Sequence, residues 1–504
     1  MTKSFYVTSP IYYVNSAPHI GHAYTTFACD TLARYKRLAG YEVKFLTGTD
    51  EHGQKVEKAA GQRGLSSQAF VDQISATFRQ LIPLLQATPD DFIRTTEPRH
   101  IQGVQYLWQQ LVDRDQIYLG EYSGWYAVRD EAFYAESELV DGKAPTGADV
   151  EWITEPSYFF RLSAWQEKLL RLYHDHPHFI APESRRKEVI RFVEGGLNDL
   201  SISRTSFRWG VPVPENSQHV VYVWLDALTN YITALGYPDQ QHDFKKFWPH
   251  AVHIVGKDIL RFHAVYWPAF LMAADLPLPN QIFAHGWYTN EGVKISKSLG
   301  NVIDPVDLLE KFGADTLRYF MLREVPFGQD GDFSQQHLIN RYNSDLANSY
   351  GNLVQRVLSF IAKNCKGQIP QPGTFQETDM VLKNMIASLR ETLDADLQNM
   401  AFHKYAEHIW QVISRANQYI DEQKPWVLKN ENPERMKTVL YTLVETIRQI
   451  ALVTQPLLPK ASSSILDQLA VDSHQRNFAN LNHCLKPGTS LPEPSAVFPR
   501  YYPV

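Results

Sequence analysis

The succession strand, turn, helix, strand at the amino-terminal end constrains this chain more than any other feature. Residues 3–8 read as a strand, and a loop with Pro10, Asn15 and Pro18 follows. A helical pattern then runs from His19 to about Leu38 and stops at Ala39-Gly40, where the glycine suits a helix C-cap. Tyr41-Glu42-Val43-Lys44-Phe45-Leu46 reads as a second strand, ahead of the turn Thr47-Gly48-Thr49-Asp50-Glu51-His52-Gly53. A βαβ unit of this kind forces a parallel sheet whose ligand crevice opens at the carboxyl ends of its strands. His19-Ile20-Gly21-His22 and Asp50 both fall at that end.

At 504 residues the chain exceeds what one hydrophobic core sustains, roughly 250–300 residues. From about Leu119 to Pro212 short aromatic-rich strands alternate with polar turns and then helical stretches, which reads as an insertion into an α/β domain. The α/β texture resumes with His219-Val220-Val221-Tyr222-Val223-Trp224, His253-Ile254-Val255-Gly256-Lys257-Asp258 and Gln281-Ile282-Phe283-Ala284-His285. Beyond about residue 336 the apolar spacing is three and four, as in Leu353, Val357, Leu358 and Ile361 or Val439, Leu440, Leu443 and Ile447, and a helical bundle follows. The expected order is a Rossmann-like half over 1–118, an insertion over 119–212, the second half over 213–275, a linking region over 276–336 and a bundle over 337–504. The proline-spaced end, with Pro492, Pro494, Pro499 and Pro503, reads as an extended tail.

Composition mainly excludes. No apolar run approaches the roughly 20 residues of a membrane helix. The start of the chain passes straight into a strand, leaving no room for a leader, so a cytoplasmic location is expected. The three cysteines are far apart, with no Cys-x-x-Cys pair to hold zinc. A net charge of −6, with 17 Lys+Arg against 15 Asp+Glu over residues 341–504, makes any RNA site a local patch.

Two strings carry the chemistry. His19-Ile20-Gly21-His22 opens a helix, where backbone N–H groups, the helix dipole and two imidazoles suit a multi-phosphate anion and the glycine permits close approach. Lys294-Ile295-Ser296-Lys297-Ser298, between Gly292 and Gly300, can close over departing phosphates. Each has a bland alternative: helix-start histidines that only cap and pack, and loop lysines that are only solvated. Their order along one chain favours the phosphate reading.

With these residues the chain resembles the class I aminoacyl-tRNA synthetases, whose signatures are His-Ile-Gly-His and Lys-Met-Ser-Lys-Ser. Over nearly its whole length it is similar to the methionyl-tRNA synthetase family. The likeness rests on Pro10-Ile11-Tyr12-Tyr13-Val14-Asn15, Gly48-Thr49-Asp50-Glu51-His52-Gly53, Tyr222-Val223-Trp224-Leu225-Asp226-Ala227, Gly256-Lys257-Asp258-Ile259, Phe262-His263 and Pro425-Trp426. Ile295 stands where the second signature usually has methionine, a conservative change.

The resemblance implies activation of L-methionine by ATP, with Mg²⁺ accompanying the nucleotide, and transfer of the methionyl group to tRNA(Met), the initiator included. It implies that His19, His22, Lys294 and Lys297 stabilise the triphosphate, with Gly21 and Ser296 beside it and Gly256 and Asp258 on the adenosine. Asp50 would meet the methionine ammonium, and Ile11, Tyr13, Trp224, Ala227, Leu228, Tyr231, Ile259 and His263 would surround the side chain. Tyr231 could donate its hydroxyl to the thioether. The i, i+3, i+4, i+7 spacing of Trp224, Ala227, Leu228 and Tyr231 fits a plain core face equally. One methylene is worth only about 1–3 kcal/mol, so homocysteine should be rejected imperfectly and some editing is expected. In the bundle, Asn352 and Arg356, one turn apart, and Trp426, fixed on a loop by Pro425, would read the anticodon.

Where relatives carry zinc knuckles, residues 126–134 hold no cysteine, so no zinc and a knuckle held by apolar and aromatic packing are expected. The chain ends before the dimerising tRNA-binding domain of some relatives, which favours a monomer. Isoleucyl, valyl and leucyl enzymes need a larger editing insertion than the spacing allows, and cysteinyl enzymes need absent zinc ligands. A smaller nucleotidylyltransferase and a non-catalytic tRNA-binding paralogue remain as alternatives.

Overall fold

The computed structural model describes residues 3–14, 17–130, 132–134, 136–290, 292–294 and 303–502. They divide into two compact units: Ser4–Cys29 with Val43–His285, and Asp30–Glu42 with the described residues from Gly286 onward.

The first unit is α/β. Its seven-stranded sheet runs Tyr12–Tyr13, Glu42–Asp50, Ser4–Thr8, Ala251–Gly256, Gln281–His285, Ile180–Ala181, with Asp91–Arg94 also beside Glu42–Asp50. Ser4–Thr8 pairs in parallel with Ala251–Gly256, which pairs in parallel with Gln281–His285. Strands that follow Ser4–Thr8 early in the chain lie to one side of it and the late ones to the other. The order therefore reverses at Ser4–Thr8, and such a switch point opens a crevice at the carboxyl ends. The strand before Asp50 is longer than the sequence pattern suggests, running on through Thr47, Gly48 and Thr49. The reason is Gly48: a Cβ there would lie 2.0 Å from the Ile93 carbonyl oxygen, and its absence lets Asp91–Arg94 pair alongside. The core behind the sheet includes Trp108, Trp248 and Trp267, each almost wholly buried.

The inserted region builds an antiparallel sheet in the order Ala132–Tyr134, Ile117–Ala127, Glu151–Phe160, Leu200–Ser201. At its tip Ala127, Ala144 and Ala148 form a small apolar core against Tyr134 and Val150. Asp130 accepts hydroxyls from Tyr134 and Thr146 there. Among the described residues no cluster of His, Cys, Asp or Glu could hold a metal, and no helix is long and apolar enough to cross a membrane.

The second unit is mainly helical. Leu353, Val357, Leu358 and Ile361 of the helix Asn352–Asn364 are buried, as are Val439, Leu440, Leu443 and Ile447 of Pro433–Thr454. Arg318 lies fully buried with its guanidinium 2.7 Å from Asp30 and bonded to the Pro456 carbonyl. The proline-spaced tail is extended, as its sequence suggests, and it is strapped to the bundle. Asn343 bonds the backbone of Tyr501 at both its N–H and C=O, and Tyr342 donates to the Pro499 carbonyl.

Candidate active site

The helix Ile20–Leu38 starts at the carboxyl edge of the sheet, directly after His19. Its first turn is tied by backbone to side chain. The His19 N–H donates to Nδ1 of His22 at 3.0 Å, and the Gly21 N–H donates to Nδ1 of His19 at 3.1 Å. A ring nitrogen that accepts an amide proton carries none itself, so each neutral imidazole keeps its proton on Nε2. The two rings lie with centroids 3.8 Å apart and their planes tilted by 34°. The turn thus offers two neutral N–H donors at a helix N-terminus, which suits phosphate oxygens. Glycine at position 21 lets the His19 ring sit where it does, since a Cβ would lie 2.9 Å from Cε1 of His19 and push that ring aside.

Packing fixes this turn from behind. The His22 ring lies against Tyr12 and Phe78, with centroids 4.7 Å and 5.1 Å away. Thr25 gives its hydroxyl proton to the Gly21 carbonyl and so accepts Nε2–H of His285 at 2.8 Å. His285 is the register partner of Gly256 in the neighbouring strand. Gly256 and the exposed Asp258 therefore stand at the same sheet edge as the histidine turn. Neither His285 nor Thr25 is singled out by the sequence; a histidine closing a strand was the available signal.

A second group gathers around Tyr231. The helix Val223–Thr233 carries Trp224, Ala227, Leu228 and Tyr231 on one face. Tyr231 is buried, its ring 4.1 Å from that of His253, and its carbonyl accepts the Tyr6 hydroxyl. Its own hydroxyl lies 2.7 Å from Nε2 of His263, whose Nδ1 lies 2.9 Å from the Ile259 carbonyl. A carbonyl only accepts, so Nδ1 holds the proton and Nε2 accepts from Tyr231. Burial pushes the His263 pKa down to about 4, which keeps the ring neutral, and burial also raises the Tyr231 phenol. The expected donation from Tyr231 to a thioether is thus corrected: its proton is held by His263, and lone pairs remain.

Trp224 stacks on Phe262 at 3.7 Å with the planes 6° apart. Phe262 and His263 belong to a π-helical stretch, Phe262–Tyr266, a distortion that often marks functional sites. Asp50 ends its strand opposite Tyr13, in pairing register, and its charge reaches Tyr231. Ile11 and Ile259 pack, partly buried, on the main core.

Behind Asp50 lies a constellation the sequence does not announce. Asp226, fully buried, holds His52 Nδ1 at 2.6 Å and His100 Nε2 at 2.7 Å. Burial opposes its ionisation, yet the two histidines hold its carboxyl down to about 2. Of the lysine-rich string, Lys294 closes the short strand Val293–Lys294, while its side chain, Ser296 and Lys297 lie outside the described residues.

In the helical unit, Asn352 is exposed at the start of Asn352–Asn364 and Arg356 follows one turn later. Arg356 donates to Asp421 at 2.8 Å, and its guanidinium stands 5.8 Å over the ring of Trp426, which is 44% exposed. Trp426 sits on a short helix, Pro425–Glu431, and not on a loop. Pro425 takes the first helical position, where a missing N–H costs nothing, after Lys424 turns the chain in a left-handed conformation with φ 47°.

Comparison with known proteins gives one consistent result. The family model described as tRNA synthetases class I (M) matches residues 5–151 and 146–358, and that of the anticodon binding domain of methionyl tRNA ligase matches 369–501. A methionine–tRNA ligase of Rickettsia felis is 54% identical, covering 99% of both chains. One of Brucella suis is 51% identical over 99% of this chain and 98% of its own. The solved structure of Mycobacterium tuberculosis methionyl-tRNA synthetase in complex with methionyl-adenylate superposes with a TM-score of 0.97 at 51% identity, over 99% of this chain and 100% of that one. The apo form of the same enzyme gives 0.91 at 48% identity, over 100% and 99%.

Proposed function

The chain belongs to the class I methionyl-tRNA synthetases, and from that premise we propose how its own residues divide the work of a methionine–tRNA ligase. In the first step a methionine carboxylate oxygen attacks the α-phosphorus of ATP, forming methionyl-adenylate while the bond to pyrophosphate breaks. In the second a terminal ribose hydroxyl of tRNA attacks the methionyl carbonyl, and AMP leaves.

Neither step needs a side chain as nucleophile. The rate comes from holding reactants in line and from donors aimed at the developing phosphate charge. The Nε2–H groups of His19 and His22 are such donors, beside the Gly21 backbone. Lys294, Ser296 and Lys297 supply the counter-charge on the leaving side. Gly256 and Asp258 take the adenosine, since the glycine leaves room where a Cβ would lie 2.5 Å from the Asp258 carboxylate. Mg²⁺ travels with the triphosphate.

Asp50 receives the methionine ammonium as a charge-assisted contact. Ile11, Tyr13, Trp224, Ala227, Leu228, Tyr231, Ile259 and His263 enclose the side chain. Asn352, Arg356, Pro425 and Trp426 meet the anticodon of tRNA(Met), the initiator included, by stacking and hydrogen bonding. The insertion over 119–212, the linking region over 276–336, a cytoplasmic location and a monomeric state belong to the same reading.

The observation that carries this division is the tautomer-fixed histidine pair at the sheet's switch point, with Gly256 beside it. Lys297→Ala tests it: ATP–pyrophosphate exchange should slow while methionine binding changes little. Unchanged exchange in that variant would overturn the phosphate assignment.

A further inference from the structure

We propose that Asp226, with His52 and His100, is a positioning residue of the methionine site, locking the turn that carries Asp50 to the helix that carries Trp224 and Tyr231. The inference rests on the reading of Asp50 as the ammonium's partner.

The helix Val223–Thr233 has two working faces. Trp224, Ala227, Leu228 and Tyr231 form one. Asp226 and Thr233, two turns apart, form part of the other, and both hold His100 of the helix Pro98–Asp113. His100 Nε2 meets Asp226 at 2.7 Å and its Nδ1 meets the Thr233 hydroxyl at 3.0 Å. His100 thus bridges the two helices, tied at one ring nitrogen to the Asp226 carboxylate and at the other to the Thr233 hydroxyl. These two contacts fix the rotation of the helix about its axis, and with it the direction of the opposite face.

The other oxygen of Asp226 reaches His52, two residues from Asp50. The turn is otherwise held by its neighbours. Glu51, fully buried, takes Nε and Nη2 of Arg94 at 2.6 Å and 2.9 Å, with hydroxyls from Thr49 and Thr96. The Trp209 indole donates to the Glu51 carbonyl, and the Gly53 N–H donates to the Trp209 carbonyl. Those ties run to the strand Asp91–Arg94, to residues just after it and to Trp209. The tie from His52 runs to the methionine-site helix. Loosening it frees the distance between the ammonium's partner and the side-chain wall, a distance that methionine, spanning both, reads directly. ATP does not read it.

Methionine-dependent ATP–pyrophosphate exchange on the full chain separates this role from general support. An amide at position 226 can accept from only one of the two histidines, and leaving a buried polar group unsatisfied is costly, so Asp226→Asn should raise the methionine KM about tenfold or more. The ATP KM and kcat should stay within about threefold. His52→Leu should do the same, whereas His52→Asn, which keeps an N–H where Nδ1 stands, should stay near the parent. This pair carries the test even if Asp226→Asn fails to fold. In an Asp50→Asn background, Asp226→Asn should add little. Equal losses in kcat and both KM values, full additivity with Asp50→Asn, or His52→Asn no better than His52→Leu would each overturn the proposal. If Asp50→Asn leaves the methionine KM unchanged, the Asp50 reading falls and this one with it. If Asp50→Asn raises it and neither Asp226→Asn nor His52→Leu does, this one falls alone.

Discussion

Tyr231 gives its hydroxyl proton to Nε2 of His263 across 2.7 Å, and both residues are buried. The direction follows from the other ring nitrogen, which donates to the Ile259 carbonyl. Tyr231 is therefore fixed in rotation and presents oxygen lone pairs, not a proton, to whatever lies beside it. A thioether has no proton to donate and only accepts weakly, so in the proposed methionine site selection would rest on shape.

Tyr231→Phe keeps the ring against His253 and removes the hydroxyl, leaving the His263 acceptor buried without its donor. An unsatisfied buried acceptor costs about 1–3 kcal/mol. The expected outcome is a lower melting temperature and a raised methionine KM in pyrophosphate exchange, with the ATP KM little changed. A variant with parental stability and parental methionine KM would contradict the assigned bond.

His263 also sets a pH response. Its ordinary pKa is near 6.5 and burial depresses it to about 4 in the folded chain. The folded state thus favours the neutral ring, and this contribution is fully present above pH 6.5. It is lost as the pH falls toward 4, because the unfolded chain takes up the proton first. By pH 5 the loss from this one group is about 2 kcal/mol. His253, pushed well below the usual imidazole range by burial and by His263, acts in the same direction. Denaturant unfolding at pH 7.5 and pH 5 should show this decline, and His263→Gln should flatten it without abolishing it.

Much of this arrangement is legible in the chain itself. The βαβ pattern gave the parallel sheet and the end at which its crevice opens, and the apolar spacing around Leu353 and Val439 gave the bundle. What stayed hidden depends on partners distant in sequence. His100 and Asp226 are 126 residues apart, and Thr25 and His285 are 260 apart. A single sequence carries no signal for such pairs. Gly48 read as part of a turn because glycine usually breaks strands; only the nearby Ile93 carbonyl explains why the strand runs through it. Trp426 read as a loop residue because Pro425 precedes it, although proline also starts helices.

Arg356 and Trp426 form one surface unit, since the guanidinium lies over the indole while Asp421 holds it. An exposed indole braced by a cation is a stacking platform for a base, worth about 1–3 kcal/mol per base. Trp426→Ala should raise the tRNA KM for aminoacylation roughly tenfold to a hundredfold while leaving pyrophosphate exchange intact. Equal damage to both reactions would mean that the residue serves folding only.

Gly21→Ala separates stability from catalysis at the histidine turn. Gly21 lies in the first turn of the helix Ile20–Leu38, and alanine is the better helix former by about 1 kcal/mol. On propensity alone the variant should melt no lower than the parent. Its new Cβ, however, would lie 2.9 Å from Cε1 of His19, closer than carbon atoms pack. The side chain is the part that can yield, so His19 should swing away, giving up the Gly21 N–H bond to its Nδ1 and its contact with the His22 ring. One phosphate donor is then misplaced, and misplacing a single preorganised donor costs on the order of a hundredfold in rate. The expected outcome is an unchanged or raised melting temperature with exchange kcat reduced at least tenfold. Full exchange activity in a stable Gly21→Ala chain would show that the paired histidines are not what the phosphates meet.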